Sequence, residues 1–331
     1  MRIDIAILGA GPAGCAAALA ARQAGFGVAL LDVHAHPRPA PGETLHPGVE
    51  AIFKKLGVWE AILSAGFHRH RGVWKESNGR RSFEAYGEDS QVAWLGFQAE
   101  RETLHAILRR AAEAAGAQVI WPIAPQCVFK NGNRIVGVGI SQHEIYADWV
   151  LDATGYRAWL PRTIGLAGER ISPRIITRYG WTSDEDPELD GQPLFIQSHQ
   201  KWRWTAPLGN GRSAWVESTI SDGSCTPVPP NQCGLDLSWR VHRACAGPGY
   251  FLLGDAAALF DPSTSGGVLR AMMSGIFSVY CIEKFKQREL REEHALATYT
   301  NWINNLVSHY TARYGIRRSS EMLNKEPNLA Q

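Results

Sequence analysis

Hydrophobic positions along this chain switch between strand-like and helix-like spacing, and the switches mark its elements. Ile3-Asp4-Ile5-Ala6-Ile7-Leu8 reads as a short buried strand, Cys15 to Ala21 as a helix, and Gly27 to Leu31 as a second strand. A proline-rich stretch, Pro37 to Gly48, precedes Val49, Ile52, Phe53 and Leu56, whose spacing predicts a helix. A loop that long between regular elements is expected to be functional. Residues 66–98 carry strand-like runs, Gly72-Val73-Trp74 and Val92 to Leu95, broken by turns such as Asn78-Gly79. Apolar residues then recur at helical spacing between Glu100 and Ala117, leading into the strand Val119-Ile120-Trp121. Asn131-Gly132-Asn133 predicts a hairpin joining Cys127-Val128-Phe129 to Arg134 through Val138. Trp149-Val150-Leu151 is another strand, and four more follow at Ile175–Tyr179, Leu194–Ile196, Trp202–Trp204 and Ser213–Val216. Ser221 to Gly234 reads as a linker out of that sheet, and Tyr250 to Leu253 as a last buried strand before helices fill the C-terminal part.

Between the first strand and first helix stands Gly9-Ala10-Gly11-Pro12-Ala13-Gly14, a dinucleotide-binding turn. Gly9 permits the tight turn, Gly11 lets the backbone approach a pyrophosphate, and Gly14 lets helix and strand pack closely. The helix N-terminus behind them offers unpaired N–H groups to phosphate. Asp32 closes the second strand where an acid would hydrogen-bond a ribose hydroxyl, which favours FAD or NAD over NADP.

Composition narrows the class. A chain of 331 residues that is 45% hydrophobic can bury a full core, and a net charge of +2 gives no electrostatic case for nucleic acid or an anionic membrane. No stretch approaches the roughly 20 apolar residues of a membrane span, so none is expected. Six cysteines without a C-x-x-C pair fit reduced thiols and a cytoplasmic location. Several of the twelve tryptophans cluster where a substrate lobe is expected.

Three separated motifs line up in order: the Gly9–Gly14 turn with Asp32; Asp152-Ala153-Thr154-Gly155; and Gly254-Asp255-Ala256-Ala257 followed by Asp261-Pro262-Ser263-Thr264-Ser265-Gly266-Gly267. Together they resemble the FAD-dependent monooxygenases that share the fold of aromatic hydroxylases, over essentially the whole chain. The resemblance implies an α/β fold: a Rossmann-type FAD-binding domain, an inserted, mainly antiparallel β-sheet substrate domain, and C-terminal helices. Residues 1–65, 99–170 and 241–331 are expected to form the first with its helices, and 66–98 and 171–240 the second. The cofactor is then FAD, held by Gly9, Gly11, Pro12, Ala13, Gly14, Asp32, Glu43, Thr44, Arg101, Asp152, Ala153, Thr154, Gly155, Gly254, Asp255, Pro262, Gly266 and Gly267. Asp255 would take the ribityl hydroxyls and Arg101 would stand near the flavin. The helix opened by Gly266-Gly267 would direct its positive end at the negative edge of reduced flavin.

Two details narrow the likeness to the tryptophan-halogenase-like branch. Gly42-Glu43-Thr44-Leu45-His46-Pro47-Gly48 resembles its G-E-S-x-x-P-type loop, and Trp202-Arg203-Trp204-Thr205-Ala206-Pro207-Leu208 its W-x-W-x-x-P-L motif. That branch includes LodB-like flavoproteins, which hydroxylate a tryptophan of a partner protein during quinone-cofactor formation. The resemblance implies hydroxylation of an indole or tryptophan, free or on a partner protein, through a flavin hydroperoxide. No second glycine-rich turn is present, so electrons are expected from transient NAD(P)H or a separate flavin reductase. Two alternatives stand beside this reading, a tryptophan or indole halogenase and a non-catalytic flavin-binding redox protein. Halogenases need a lysine, and near Phe67-His68 this chain offers histidine, with Lys75 out of register. His46, His68, Trp202 and Trp204 are the catalytic candidates. The two tryptophans either wall a dry pocket or pack within the sheet, and His46 is either an acid–base group or a solvated loop histidine.

Overall fold

A computed structural model describes residues 1–37, 40–90, 92–141, 143–183, 186–198, 201–209, 211–221, 233–264 and 266–315. Its central sheet runs Gln118–Ile120, Val28–Leu31, Arg2–Leu8, His143–Asp152, Arg134–Ile140 and Pro125–Asn131, with Tyr250–Leu252 also on His143–Asp152. The first four strands of that order and Tyr250–Leu252 are mutually parallel, while the last two form the predicted antiparallel hairpin at the edge. The central parts of the parallel strands are apolar because both faces are covered there: Val28–Leu31 is wholly buried, as are Ile5 to Leu8. Register brings Leu8, Leu31, Asp152 and Leu252 to one common edge, the carboxyl edge where open α/β sheets bind ligands.

Helix Pro12–Gln23 packs on this sheet and against the long helix Gly267–Lys286. Gly275 lets them touch, since a Cβ there would drive into the Ala13 carbonyl and lie 2.9 Å from the Ala17 nitrogen. The predicted helix after the proline-rich stretch forms as Val49–Lys55, and a second helix that the pattern did not predict, Trp59–Ser64, follows it after Gly57 at φ +73°. None of the described helices is long and apolar enough to cross a membrane.

The inserted sheet has seven strands in the order Cys233–Asp236, Arg174–Thr182, Arg212–Ser221, Lys201–Gly209, Leu194–Gln197, Gly72–Ser77 and Arg80–Ala85. Every pairing is antiparallel except Leu194–Gln197 with Gly72–Ser77. Asn78-Gly79 makes the tight turn between the last two strands, both residues at positive φ. Cys233 and Gly234 therefore belong to a strand rather than to the expected linker, of which 222–232 lie outside the described residues.

The stretch read as loop also contains structure. Glu43–Leu45 is a strand pairing with Gly96–Ala99, which pairs in turn with His68–His70. Three residues are too few to display a period of two, so this strand leaves no trace in the hydrophobic pattern. It lies beside the inserted sheet, because Gly42, just before it, packs directly on Leu208 of the Lys201–Gly209 strand.

Candidate cofactor and substrate site

The nucleotide end is built from close backbone packing. Gly9 has φ +102°, and a Cβ on it would collide with the Ala153 carbonyl; one on Gly14 would collide with the Gly9 carbonyl. Gly11 differs: a Cβ there would meet nothing within 4 Å. The backbone therefore faces open space at the residue expected to face pyrophosphate. Pro12 opens the helix and no side chain caps it, so its first-turn amides are available to an anion. Ala13 is buried behind them.

Asp32 is held from three sides. Its Oδ2 accepts from the Ala10 nitrogen at 2.7 Å and from Arg109 Nη2 at 2.8 Å, and its Oδ1 from the His34 nitrogen at 2.8 Å. Arg109, 8% exposed, also donates to the carbonyls of Ala10 (3.1 Å) and His34 (2.9 Å) and lies over the Trp121 ring. Sequence reading missed Arg109. Its only signal is a cation between Leu108 and the apolar helix positions that follow, which does not separate it from exposed Arg110.

Asp152 has a different place from the one expected of a cofactor ligand. Its carboxylate, 0% exposed, accepts from the Thr154 nitrogen and hydroxyl and from the Leu160 nitrogen, at 2.8, 2.6 and 2.7 Å. It shapes the turn bearing Ala153, Thr154 and Gly155 and turns no oxygen outward. Burial raises its pKa, and those three donors oppose the rise.

At the flavin end, Glu43, Arg101 and Asp255 come together from three distant segments. Arg101 Nε donates to Glu43 Oε1 at 2.6 Å, and its Nη2 contacts the same oxygen. The Glu43 charge raises the Arg101 pKa, with a further contribution from Asp255. Desolvation raises Asp255, while the charges of Arg270 and Arg101 pull it down. Asp255 nevertheless keeps open surface, as does Arg101. Both groups are flanked by protein yet meet solvent, which marks the candidate cleft. Gly254 starts this turn, its N–H donating to Ser274 at 2.8 Å. Gly266 and Gly267 open the Gly267–Lys286 helix, which has no side-chain cap among the described residues, and Pro262 is exposed on the approach. Ser265 lies outside the described residues. Thr44 and the buried Gln98 amide exchange hydrogen bonds at 3.1 and 2.9 Å and so stay within the protein.

The catalytic candidates are dispersed. His46 is exposed, its Nδ1 accepting from the Gly48 nitrogen at 3.1 Å and its ring edge-on to Tyr86; desolvation lowers its pKa. His68 Nε2 donates to the Gly191 carbonyl at 2.7 Å, which fixes the proton on that nitrogen. Lys75 is tied to Glu84 at 2.5 Å. Trp202 is 6% exposed and packs on Phe195, with its indole nitrogen unpartnered among the described residues. Trp204 is partly open and shares a face with Val216 and Tyr179, its neighbours across two strand pairings.

The donor set fits FAD: open backbone for pyrophosphate, an acid for ribose, a second acid at a strand end, and two helix N-termini. The family comparison agrees, since residues 2–188 match the FAD binding domain family. The chain belongs to that family. Its cofactor is FAD. Tryptophan 2-halogenase of Chondromyces crocatus is 28% identical over 347 residues, covering 89% of this chain and 64% of that protein. The chain thus spans less than two thirds of that relative. Among solved structures, the flavin-dependent brominase Bmp2 superposes with a TM-score of 0.81 at 21% identity, covering 98% of this chain and 91% of that one. PqsL of Pseudomonas aeruginosa, described as a probable FAD-dependent monooxygenase, gives 0.81 at 15% identity, covering 97% and 96%. At those identities the likeness establishes the FAD-binding α/β fold alone.

Proposed function

We propose that this FAD protein is a monooxygenase that hydroxylates an electron-rich aromatic ring of the indole type. Bound FAD supplies the redox chemistry that activates dioxygen. What remains for the chain is to position the ring and keep water away. The backbone N–H groups of Gly11, Ala13 and Gly14 would hold the pyrophosphate, Asp32 the ribose and Asp255 the ribityl chain. Glu43 fixes the Arg101 guanidinium as a constant charge in the cleft. Trp204, Val216 and Tyr179 form the apolar wall opposite. Reduction by NAD(P)H or a separate flavin reductase belongs to the same proposal, as does a LodB-like role on a tryptophan of a partner protein.

The observation favouring hydroxylation is that a histidine, engaged by the protein, stands near the place where a halogenase lysine is expected, while the neighbouring out-of-register lysine is ion-paired. The His68 Nε2–H donates a hydrogen bond to the Gly191 carbonyl, and Lys75 is paired with Glu84. Halogenation is the second reading, favoured by the 28% identity to a tryptophan 2-halogenase. Incubating holoenzyme with reductant, heavy-isotope dioxygen, chloride or bromide and indole-bearing probes separates them by product mass. One labelled oxygen per product and no halogen is expected. Halogenated product that persists in His68→Ala would overturn the proposal in favour of the second reading. Absence of any substrate-dependent oxygen uptake would overturn both.

A further inference from the structure

Glu43, Arg101, Asp255 and Arg270 meet at the flavin end, but their charges are not matched in the same way. Glu43 and Arg101 are hydrogen-bonded at 2.6 Å and largely cancel one another. Asp255 and Arg270 line one small cavity with Gly254, Gly267 and Ala271, and act on each other through space. Asp255 is exposed; desolvation raises its pKa, and the charge of Arg270 does more than that of Arg101 to bring it down.

Arg270 stands where helix electrostatics disfavour a cation. It is the fourth residue of the Gly267–Lys286 helix, whose first turn carries no acid, and helical side chains lean back toward the N-terminus. Its Nη1 and Nη2 lie 3.9 and 3.8 Å from where Cβ atoms on Gly266 and Gly267 would be. The guanidinium therefore sits beside the positive end of its own helix dipole, which is unfavourable. It is held there all the same, lying over the rings of Phe260 at 5.2 Å and Tyr310 at 4.5 Å, which stack on each other. The fold thus fixes a cation where its helix opposes it, and Asp255 is the acid beside it.

Resting on the assignment of FAD to this cleft, with Asp255 on the ribityl chain, we infer that Arg270 is the counter-charge of Asp255 and sets the reduction potential of the flavin. Reduction of bound FAD takes two electrons and one proton and leaves one added negative charge on the ring. An uncompensated carboxylate at the ribityl chain opposes that charge, and like charges repel strongly in a partly desolvated site. Arg270 offsets it, so the acid holds the ribityl hydroxyls without disfavouring reduction. It acts through charge and touches no reacting atom, which makes it a tuning residue. Hydroxylation and halogenation both need reduced FAD, so the inference does not depend on which of them holds.

The midpoint potential of the holoprotein's flavin, followed by absorption during dithionite reduction beside dyes of known potential, tests this. Arg270→Gln should lower the potential by about 30 mV, equivalent to a roughly tenfold fall in the ratio of reduced to oxidised FAD binding for a two-electron couple. Arg270→Lys, which keeps the charge, should stay near wild type. Asp255→Asn, which keeps an acceptor for the ribityl chain, should raise the potential by a similar amount, and the double variant should return close to wild type. A variant that holds too little FAD is measured instead by the ratio of its dissociation constants for oxidised and dithionite-reduced FAD. An unchanged ratio in Arg270→Gln, equal loss of both forms up to complete loss, or equal shifts in Arg270→Gln and Arg270→Lys would overturn the inference, because packing and not charge would then explain the residue. Shifts of the same sign in Arg270→Gln and Asp255→Asn would overturn it too. None of these outcomes bears on product identity, so failure here leaves the proposed reaction standing.

Discussion

Arg109 and Asp32 form a nearly buried ion pair, their side chains 9% and 13% exposed, and the arginine also binds the carbonyls on either side of the ribose acid. Removing one partner of such a pair leaves a charge without compensation, which typically costs ~3–5 kcal/mol of local stability. The effect should fall on the adenosine half of the cofactor. Arg109→Met is expected to weaken FAD binding by about tenfold or more, equivalent to at least ~1.4 kcal/mol, while FMN, which has no adenosine, keeps its wild-type affinity. Titration calorimetry with both flavins checks this, and an equal loss for each would show that Arg109 acts on the whole fold instead. Asp32 was legible in the sequence because it closes the second strand, one helix after the glycine turn. Arg109 was not, because its role depends on how its helix crosses the sheet edge. Asp152 was legible as a motif but not in its role: its carboxylate points inward to Thr154 and Leu160.

Hydrophobic pattern located most strands and helices, since apolar positions are the ones that are buried, as a continuous run along Ile5 to Leu8 and at helical spacing along Arg101–Ala114. It could not order the inserted sheet, where Leu194–Gln197 lies parallel to Gly72–Ser77 from a distant part of the chain. Nor could it single out Gly275, one glycine in a helix, as the point where two helices touch. That contact yields a paired prediction at the element level. Gly275→Val forces a side chain into the backbone of Pro12–Gln23, and overpacking of this kind costs ~1–3 kcal/mol, so the melting temperature of the FAD-free protein should fall by several degrees. Gly11→Val should leave that temperature near wild type, because the space before Gly11 is open and its φ of −82° suits any residue. Its FAD affinity should drop, because the new side chain occupies the approach to the pyrophosphate. Calorimetric melting without FAD, followed by flavin titration, separates the two effects; equal destabilisation by both would contradict the packing described.

Across the whole molecule, the two ends of the cleft draw on different parts of the chain. The nucleotide end uses Gly9 to Gly14, Asp32 and Arg109, all on or beside the central sheet. At the flavin end Glu43, Arg101 and Asp255 meet, with Gly42, just before the strand Glu43–Leu45, packed on Leu208 of the inserted sheet. Local opening is suppressed only where a ligand makes contacts, so ligand fragments should protect the two ends separately. ADP should slow amide hydrogen exchange at residues 10–15 and 32–35 and leave 43–45, 254–257 and 267–270 near their unliganded rates. FAD should slow exchange in both sets, and at a hundredfold excess over its dissociation constant should stabilise the fold by about 2.7 kcal/mol. Asp255→Ala should retain the ADP response and lose much of the added FAD protection at 43–45 and 254–257. Equal protection of both sets by ADP would mean that they form one cooperative unit, and the division of the cleft into a nucleotide end and a flavin end would have to be abandoned.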